Sequence, residues 1–247
     1  MLILLPPSET KREGGADGTR LALRELSFPE LGAARRTALS ALEELSRDPA
    51  AAAAALKLGA TQAHEVERNR RIRRSPVLPA LERYDGVLYD ALDVGALPAT
   101  ALDFAHEHVA IASALFGLTR ALDAIPAYRL SADSRVPGVS LKKLWAPAVS
   151  AVVAQERGLL LDLRSEAYAA LGPVPDREDA VFVRVVSDEG GRKRALNHFN
   201  KAGKGRLVRA ILLAGVDHPD VASLLAWAAG SGIRLEPGAP GELDLVV

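Results

Sequence analysis

Cysteine is absent from this chain of 247 residues, which excludes disulfides, iron–sulfur clusters and zinc sites with thiolate ligands. Long apolar runs are also missing. The N-terminal run Met1–Leu5 ends at the Pro6-Pro7 pair and has no basic residue before it, so it is too short for a secretory signal or a membrane span. We therefore expect a soluble, cytoplasmic protein with no membrane partner.

The signatures of common cofactor-dependent enzymes are likewise missing. The sequence contains no GxGxxG, no P-loop GxxxxGK[ST] and no HExxH. The five histidines form no convincing ligand set. His106 and His108 would share one face of an extended segment, but two ligands do not make a metal site. The sequence thus predicts no cofactor and no metal site.

Apolar residues make up 49% of the chain and charged residues 25%, enough for a large core in one domain spanning residues 1–247. Short strands scattered among helices predict an α/β (mixed α+β) fold, a mixed sheet flanked by many helices. The predicted strands are Leu2–Leu5, Val109–Ser113, Leu159–Leu163 and Val181–Val186, with a C-terminal pair at Ile233–Leu235 and Leu243–Val247. The predicted helices are Pro29–Ser46, Pro49–Leu58, Thr61–Arg74, Val87–Leu92, Ala99–Ala105 and Leu141–Glu156.

Residues 115–130 are predicted to be a loop with a strand near its end. The C-terminal third is predicted to be helical from Arg194 to Ala229, with breaks near Gly203–Gly205 and Gly215–Pro219.

Positive charge is concentrated in one segment of an otherwise acidic chain. Between Arg184 and Arg209 there are eight Lys/Arg and two acids, whereas the remainder has 23 basic and 29 acidic residues. Such a segment attracts phosphates although the protein as a whole is neutral. The candidate nucleic-acid-binding residues in it are Lys193, Arg194, Lys201, Lys204, Gly205, Arg206 and Arg209, and His198 is a further candidate phosphate contact or core histidine.

The spacing within this segment favours a phosphate site. Arg206 and Arg209 would lie on one face of a helix, and Gly203 and Gly205 permit a close backbone approach or a left-handed turn at its start, where free amides attract anions. A solvated basic helix face is the alternative. A second arginine cluster at Glu67–Arg74 is either another phosphate contact or a solubilising helix paired with acids.

The segment Ser8–Lys11 directly follows the first predicted strand. Loops after strand ends tend to build sites in α/β sheets, so Ser8 and Lys11 are candidate cleft residues. In the alternative interpretation, Ser8 caps a turn and Lys11 lies in solvent.

Four collinear stretches resemble the YaaA family of peroxide-stress proteins. They are Tyr84–Tyr89 with Leu92-Asp93 (YDGVLY and LD), Ser113–Leu130 (with SALFG, Arg120, Asp123 and PAYRL), Leu163–Tyr168 (LRSEAY) and Phe199–Arg209. The first is similar to the family's YDGdVYxgLd motif. The second resembles SGLYGLLRPLDLIxPYRL, and the last two resemble NLASEEY and KxARGxxxRyii.

The resemblance implies a single-domain α/β protein with a positively charged cleft and a helix-hairpin-helix-like element. It implies DNA binding, and protection against hydrogen peroxide through lower free intracellular iron. By position, Lys201, Lys204, Gly205 and Arg209 match the basic motif, and Tyr128 and Arg129 the PYRL motif. The chain departs from the family in having Lys204 in place of the usual Arg, Ser8-Glu9 in place of the SPAKxLD opening, and no C-terminal (F)xR.

Three functions follow as hypotheses. The first is a stress protein that binds duplex DNA through its phosphate backbone. The second is an enzyme acting on a nucleobase, nucleotide or damaged DNA, with Asp93, Asp123 and Glu166 as candidate catalytic carboxylates. Direct iron binding by oxygen ligands is the third. Within the matched motifs, Arg120 could pair with Asp123, and Arg129 could reach a carboxylate or a phosphate, with a buried structural ion pair as the alternative.

Overall fold

The computed structural model describes residues 1–189, 192–195 and 200–247, with the backbone alone described at 188, 189 and 192–195. Its strands are β1 (Leu2–Leu5), β2 (Val77–Pro79), β3 (Val109–Ser113), β4 (Gly117–Arg120), β5 (Ala124–Pro126), β6 (Leu160–Asp162), β7 (Ala180–Glu189), β8 (Arg192–Ala195), β9 (Leu235–Pro237) and β10 (Glu242–Val246). Its α-helices are α1 (Gly32–Leu45), α2 (Pro49–Ala55), α3 (His64–Arg70), α4 (Ala80–Arg83), α5 (Val87–Leu92), α6 (Ala99–His108), α7 (Leu141–Val153), α8 (Glu166–Ala169), α9 (Asn200–Ala214) and α10 (Val221–Gly230).

Five parallel strands form the centre of the main sheet, in the order β3-β1-β6-β7-β10. An antiparallel strand flanks them at each edge, β4 beside β3 and β9 beside β10, and β8 pairs antiparallel with the end of β7. Every residue of β1 and β3 is buried. Central parallel strands are covered on both faces, which is why they appear in the sequence as unbroken apolar runs.

The predicted mixed α/β fold is therefore confirmed. The helices predicted at Val87–Leu92 and Leu141–Glu156 are found, as is the C-terminal antiparallel pair. The loop predicted over residues 115–130 is wrong in part, because it contains β4 as well as β5. The strand β4 begins at Gly117, whose φ of +75° lets the chain turn back from β3 directly beneath the Trp145 ring.

The predicted helix break at Gly203–Gly205 is wrong, because α9 runs continuously through both glycines. The helical prediction at Arg194 is also wrong, since this residue lies in β8. The break at Gly215–Pro219 is confirmed between α9 and α10. What the two glycines provide is close packing: a Cβ on Gly205 would lie 2.2 Å from the carbonyl oxygen of Leu88 in α5.

Among the described helices, none is both long enough and apolar enough to cross a membrane.

Replacing Gly205 with alanine tests the α5–α9 packing. The new Cβ would press on the Leu88 carbonyl at 2.2 Å and the Ala91 Cβ at 2.9 Å, and backbone atoms cannot rotate aside. We expect Gly205→Ala to lower the free energy of unfolding by about 1–3 kcal/mol in urea denaturation. Gly230→Ala is the matched control, because Gly230 is helical with nothing within 4 Å of its Cβ position, and it should be neutral or stabilising by up to about 1 kcal/mol. Equal effects of the two changes would contradict the packing assigned to Gly205.

Candidate functional site

A cleft of about 760 Å³ lies at the carboxyl ends of the adjacent parallel strands β1 and β6. In α/β sheets this is where loops from neighbouring strands diverge and ligands bind. The cleft is lined by the segment after β1, the start of α5, the segment 131–133, the region after β6 and the start of α9. Its lining residues are Pro6, Pro7, Ser8, Glu9, Thr10, Gly86, Val87, Leu88, Tyr89, Ser131, Ala132, Asp133, Leu163, Ser165, Ala167, Tyr168, Asn200, Lys201 and Lys204.

Hydrogen bonds hold the cleft wall formed by the segment after β1. Tyr89 is buried and donates through its hydroxyl to the carbonyl of Pro6 at 2.7 Å, which ties α5 to the end of β1. Ser8 faces Gly86, whose φ of +107° lets the two segments approach. Ser8 thus lies in the cleft, as its position after the first strand predicts.

Lys204 lies at the inner side of the cleft and is 5% exposed. Its ammonium donates to the carbonyl of Leu163 at 2.9 Å and lies 5.1 Å from the centroid of the Phe182 ring. Burial lowers the pKa of Lys204 to about 8, opposed by the negative charge of Asp162. The amine therefore fastens α9 to the segment after β6, and little of it remains for an external phosphate.

The other cations of α9 divide into paired and exposed. Arg209 donates to the carbonyls of Leu92 and Asp93, each at 2.8 Å, and its guanidinium lies 3.4 Å from the Asp93 carboxylate. Arg209 thus caps the end of α5. Lys201 lines the cleft and is exposed, and Arg206 is exposed five residues further along α9, outside the cleft lining.

The remaining basic candidates lie where only the backbone is described, or outside the described residues. Lys193 and Arg194 are in β8, opposite Asp188 and Ser187 of β7. His198 and Phe199 lie outside the described residues. The charged residues of the described cleft lining are Glu9, Asp133, Lys201 and Lys204. The positively charged cleft and the helix-hairpin-helix-like element implied by the family resemblance therefore stay predictions.

Lys11 is 5% exposed and forms an isolated bridge with Tyr84, so its predicted alternative position in solvent is wrong. Its ammonium donates to the Glu9 carbonyl at 3.1 Å and lies 4.2 Å from the centroid of the Tyr128 ring. Burial, and secondarily repulsion from Arg129, lowers the pKa of Lys11 to about 7. The Tyr128 hydroxyl bonds those of Tyr84 at 2.9 Å and Ser113 at 2.7 Å.

Arg129 is 8% exposed and lies beside this lysine. Its backbone amide donates to Asn69 at 2.8 Å, and its guanidinium donates to the carboxylate of Glu9 at 2.7 Å. The expectation that Arg129 reaches a carboxylate is confirmed. Sequence reasoning missed Glu9 and Asn69 as its partners, although Glu9 directly follows the Ser8 that it singled out.

The three candidate catalytic carboxylates do not meet in the cleft, and none belongs to its lining. Asp93 pairs with Arg209 and is exposed. Glu166 begins α8 at the surface. Asp123 is buried and accepts hydrogen bonds from the Ser27 hydroxyl at 2.7 Å and from the backbone amide of Arg120 at 3.0 Å. Asp123 thus holds a turn.

Two further expectations are settled by ion pairs. The Arg120 side chain bonds Glu156 at 2.9 Å, so the expected side-chain pair between Arg120 and Asp123 is wrong. In the arginine cluster Glu67–Arg74, each of the four arginines with a described ion pair faces an acid: Arg68 faces Glu13 and Glu65, Arg70 and Arg71 face Glu67, and Arg73 faces Glu43. The interpretation of this cluster as a solubilising helix paired with acids is supported.

Within the described ranges, no three His, Asp or Glu side chains gather in a way that could hold a metal ion. His106 and His108 lie in the last turn of α6, so the extended geometry that would have placed them on one face does not occur.

The buried amine of Lys204 predicts a specific pH dependence. The unfolded lysine keeps its proton up to about 10.5, whereas the folded one releases it near 8, so the unfolded state binds more protons between these values and stability rises with pH. From pH 8 to 9.5, we expect the wild type to gain about 1–2 kcal/mol relative to Lys204→Met in urea denaturation. The exposed Lys143→Met should show no such divergence, and parallel curves for all three proteins would contradict the assignment.

Comparison with known proteins agrees with the motifs. The family described as "Peroxide stress protein YaaA" matches residues 1–230. A UPF0246 protein of Corynebacterium glutamicum is 42% identical, with both chains covered in full. A UPF0246 protein of Streptomyces coelicolor is 38% identical over 98% of this chain and 94% of its own length. With a cleft at the strand ends and a match over nearly its whole length, the chain belongs to the YaaA family of peroxide-stress proteins.

Proposed function

We propose that this protein serves the peroxide-stress response by binding DNA through the phosphate backbone, at the rim of the cleft where α9 begins. The observation that carries the proposal is the contrast among the late cations. The side chains of Lys204 and Arg209 donate to backbone carbonyls. Those of Lys201 and Arg206 are exposed and, among the described side chains, have no acid within 4.0 Å.

We expect the two basic residues of β8 to add to the charge near this rim. The strand β8, with Lys193 and Arg194, ends five residues before α9 begins at Asn200. Gly203 of α9 packs beside Val185 of β7, so the start of α9 lies over the strand that β8 extends. Lysines and arginines on a strand and a helix start are suited to phosphates rather than to base edges. We expect little sequence preference and an affinity of about micromolar or weaker at physiological salt.

The proposal includes the protective outcome that the family resemblance implies, which is lower free intracellular iron and less hydroxyl-radical damage. A strain lacking the gene should show more chelatable iron under peroxide by electron paramagnetic resonance. Complementation with the wild type should reverse this increase, and failure to do so would remove the iron part of the proposal.

Neutralising the two exposed cations of α9 tests DNA binding. In fluorescence anisotropy with a labelled duplex, we expect Lys201→Gln/Arg206→Gln to weaken binding. The slope of the logarithm of the binding constant against the logarithm of the salt concentration should also become shallower, by roughly 0.9 for each phosphate that the variant no longer neutralises.

The matched control is Lys142→Gln/Lys143→Gln, which removes the same charge from exposed positions of α7 away from the cleft lining. This control should bind like the wild type. Equal affinity and equal salt slope for both double variants would contradict an interface at the start of α9.

An enzyme acting on a nucleobase, nucleotide or damaged DNA is a second proposal, favoured by one observation. An amine whose pKa is near 7, that of Lys11, lies close to a cleft at the strand ends, and such amines can take up a proton at neutral pH. Incubation with damaged duplexes and a nucleotide panel should then give turnover that Lys11→Met abolishes. A complete lack of turnover by the wild type would remove this proposal.

A further inference from the structure

A cluster of cations lies beneath the cleft wall formed by Glu9. Arg129 is 8% exposed and Lys11 is 5% exposed, and the pKa of the Lys11 amine is lowered first by burial and then by repulsion from Arg129. Arg68 of α3 belongs to the same cluster, since its pKa is lowered first by burial and then by repulsion from Arg129. Arg68 is paired with Glu65 and Glu13, and Glu65 also attracts Lys11 and Arg129, so the described carboxylates that offset these two cations are the shared Glu65 and the exposed Glu9.

Arg129 retains an unused donor. Its Nε is fully shielded from solvent and has no hydrogen-bond partner among the described residues. A buried donor without an acceptor destabilises the protein, and more so on a charged group. Arginine donors form a planar fork that fits a carboxylate or phosphate with two parallel bonds. A ligand with several oxygens would therefore use this guanidinium more fully than Glu9 does.

Glu9 contacts both cations with different groups: its backbone carbonyl accepts from Lys11 at 3.1 Å, and its carboxylate accepts from Arg129. It bonds one terminal nitrogen of Arg129 at 2.7 Å, yet its own side chain is 62% exposed and lines the cleft. The Glu9 carboxylate is mostly exposed, so it recovers hydrogen bonds from water when it leaves the guanidinium, and another anion that bonds Arg129 can take its place.

We propose that Arg129 and Lys11 form a seat for a terminal phosphate group entering from the cleft, and that the Glu9 carboxylate occupies the Arg129 side of this seat until the phosphate displaces it. The ligand class is a phosphomonoester, either a mononucleotide or the phosphorylated end of a DNA strand.

The geometry favours a terminal phosphate over a backbone phosphate. The end of one side chain, that of Glu9, occupies the seat from the cleft side. The seat therefore admits a phosphate with one ester substituent, whereas a phosphodiester has two substituents and needs room for the chain on both sides. A phosphomonoester also carries a charge near −2 at neutral pH, which matches two cations better than a diester does. This site differs from the rim at α9, which would contact the backbone of a duplex.

The pH dependence of binding follows from the groups around Lys11. These are Glu9 and Arg129, Glu65 and Arg68 of α3, and the neutral hydroxyls of Tyr84 and Tyr128. The phosphate gains its second charge near pH 6, and the Lys11 amine loses its charge above pH 7. We expect the tightest binding between these two values and a steady weakening above pH 7.

The test measures the affinity of the full-length protein for a 5′-phosphorylated thymidine dinucleotide by isothermal titration calorimetry at low salt. We expect binding of the phosphorylated dinucleotide and none of the unphosphorylated one. Glu9→Gln removes the competing carboxylate and its repulsion, so affinity should rise about three- to ten-fold. Arg129→Lys keeps the charge but loses the fork, and should lower affinity about ten-fold or more.

Asp133→Asn is the matched control, because Asp133 also lines the cleft but pairs with Lys57 at 2.5 Å. It removes the same charge as Glu9→Gln and should leave affinity nearly unchanged. An equal gain in the two variants would mean general electrostatics and would overturn the seat, as would an unchanged affinity in a Glu9→Gln protein whose melting curve shows it folded.

Two further measurements distinguish a mononucleotide from a strand end, and the Arg129 site from the rim at α9. Thymidine 5′-monophosphate alone, binding as tightly as the dinucleotide, would indicate a mononucleotide, whereas tighter binding of the dinucleotide would indicate a strand end. Lys201→Gln/Arg206→Gln should leave this binding intact, so failure of the duplex proposal would not remove the seat. Binding that Lys201→Gln/Arg206→Gln abolishes and Arg129→Lys does not would overturn it.

Discussion

A cation taken out of water must recover its hydrogen bonds inside the protein, and this requirement organises much of the fold. Arg35 shows the pattern: its guanidinium is fully buried and donates to the carbonyls of Phe116 and Leu118 around the start of β4, and to those of Leu26 and Ser27 before α1. Because the four bonds reach two separate parts of the chain, one side chain fixes the segment before α1 against the start of β4. Burial lowers the pKa of Arg35 to about 10, so the group stays charged at neutral pH.

The same use of cations changes how the charge of the sequence translates into a surface. Arg83 is also fully buried, with its guanidinium on the carbonyls of Ile125, Gly14 and Pro76. Lys204 fastens α9 by the same means. The number of basic residues in the sequence is therefore larger than the number of cations that a polyanion can contact. What a phosphate meets depends on which cations have already been taken by carbonyls, and on the acids that face the rest.

The apolar strands and most helices follow from the sequence because burial on both faces leaves a continuous local pattern, as in β1 and β3. The glycines of α9 show where that reasoning stops. Alone, Gly203 and Gly205 are consistent with either a turn or a close approach, and only the position of Leu88 across the interface decides for the approach. The site divides in the same way. The segment after β1 could be placed at the strand ends from the sequence, whereas the joining of Glu9 to Arg129, 120 residues later, depends on tertiary structure.

The acceptor distinguishes the cations that stabilise the fold from those that can serve a ligand. A backbone carbonyl in a packed segment cannot leave, so a guanidinium or ammonium bound to it, as in Arg35 or Lys204, is committed to the fold. A carboxylate on an exposed segment can leave, and the cation it releases is already desolvated and oriented, which lowers the cost of binding an anion. Arg129 is in this second state, with one terminal nitrogen on Glu9 and its Nε unused within the described structure. Chemistry near this cleft should therefore depend more on the few cations held by mobile acids than on the total positive charge of the chain.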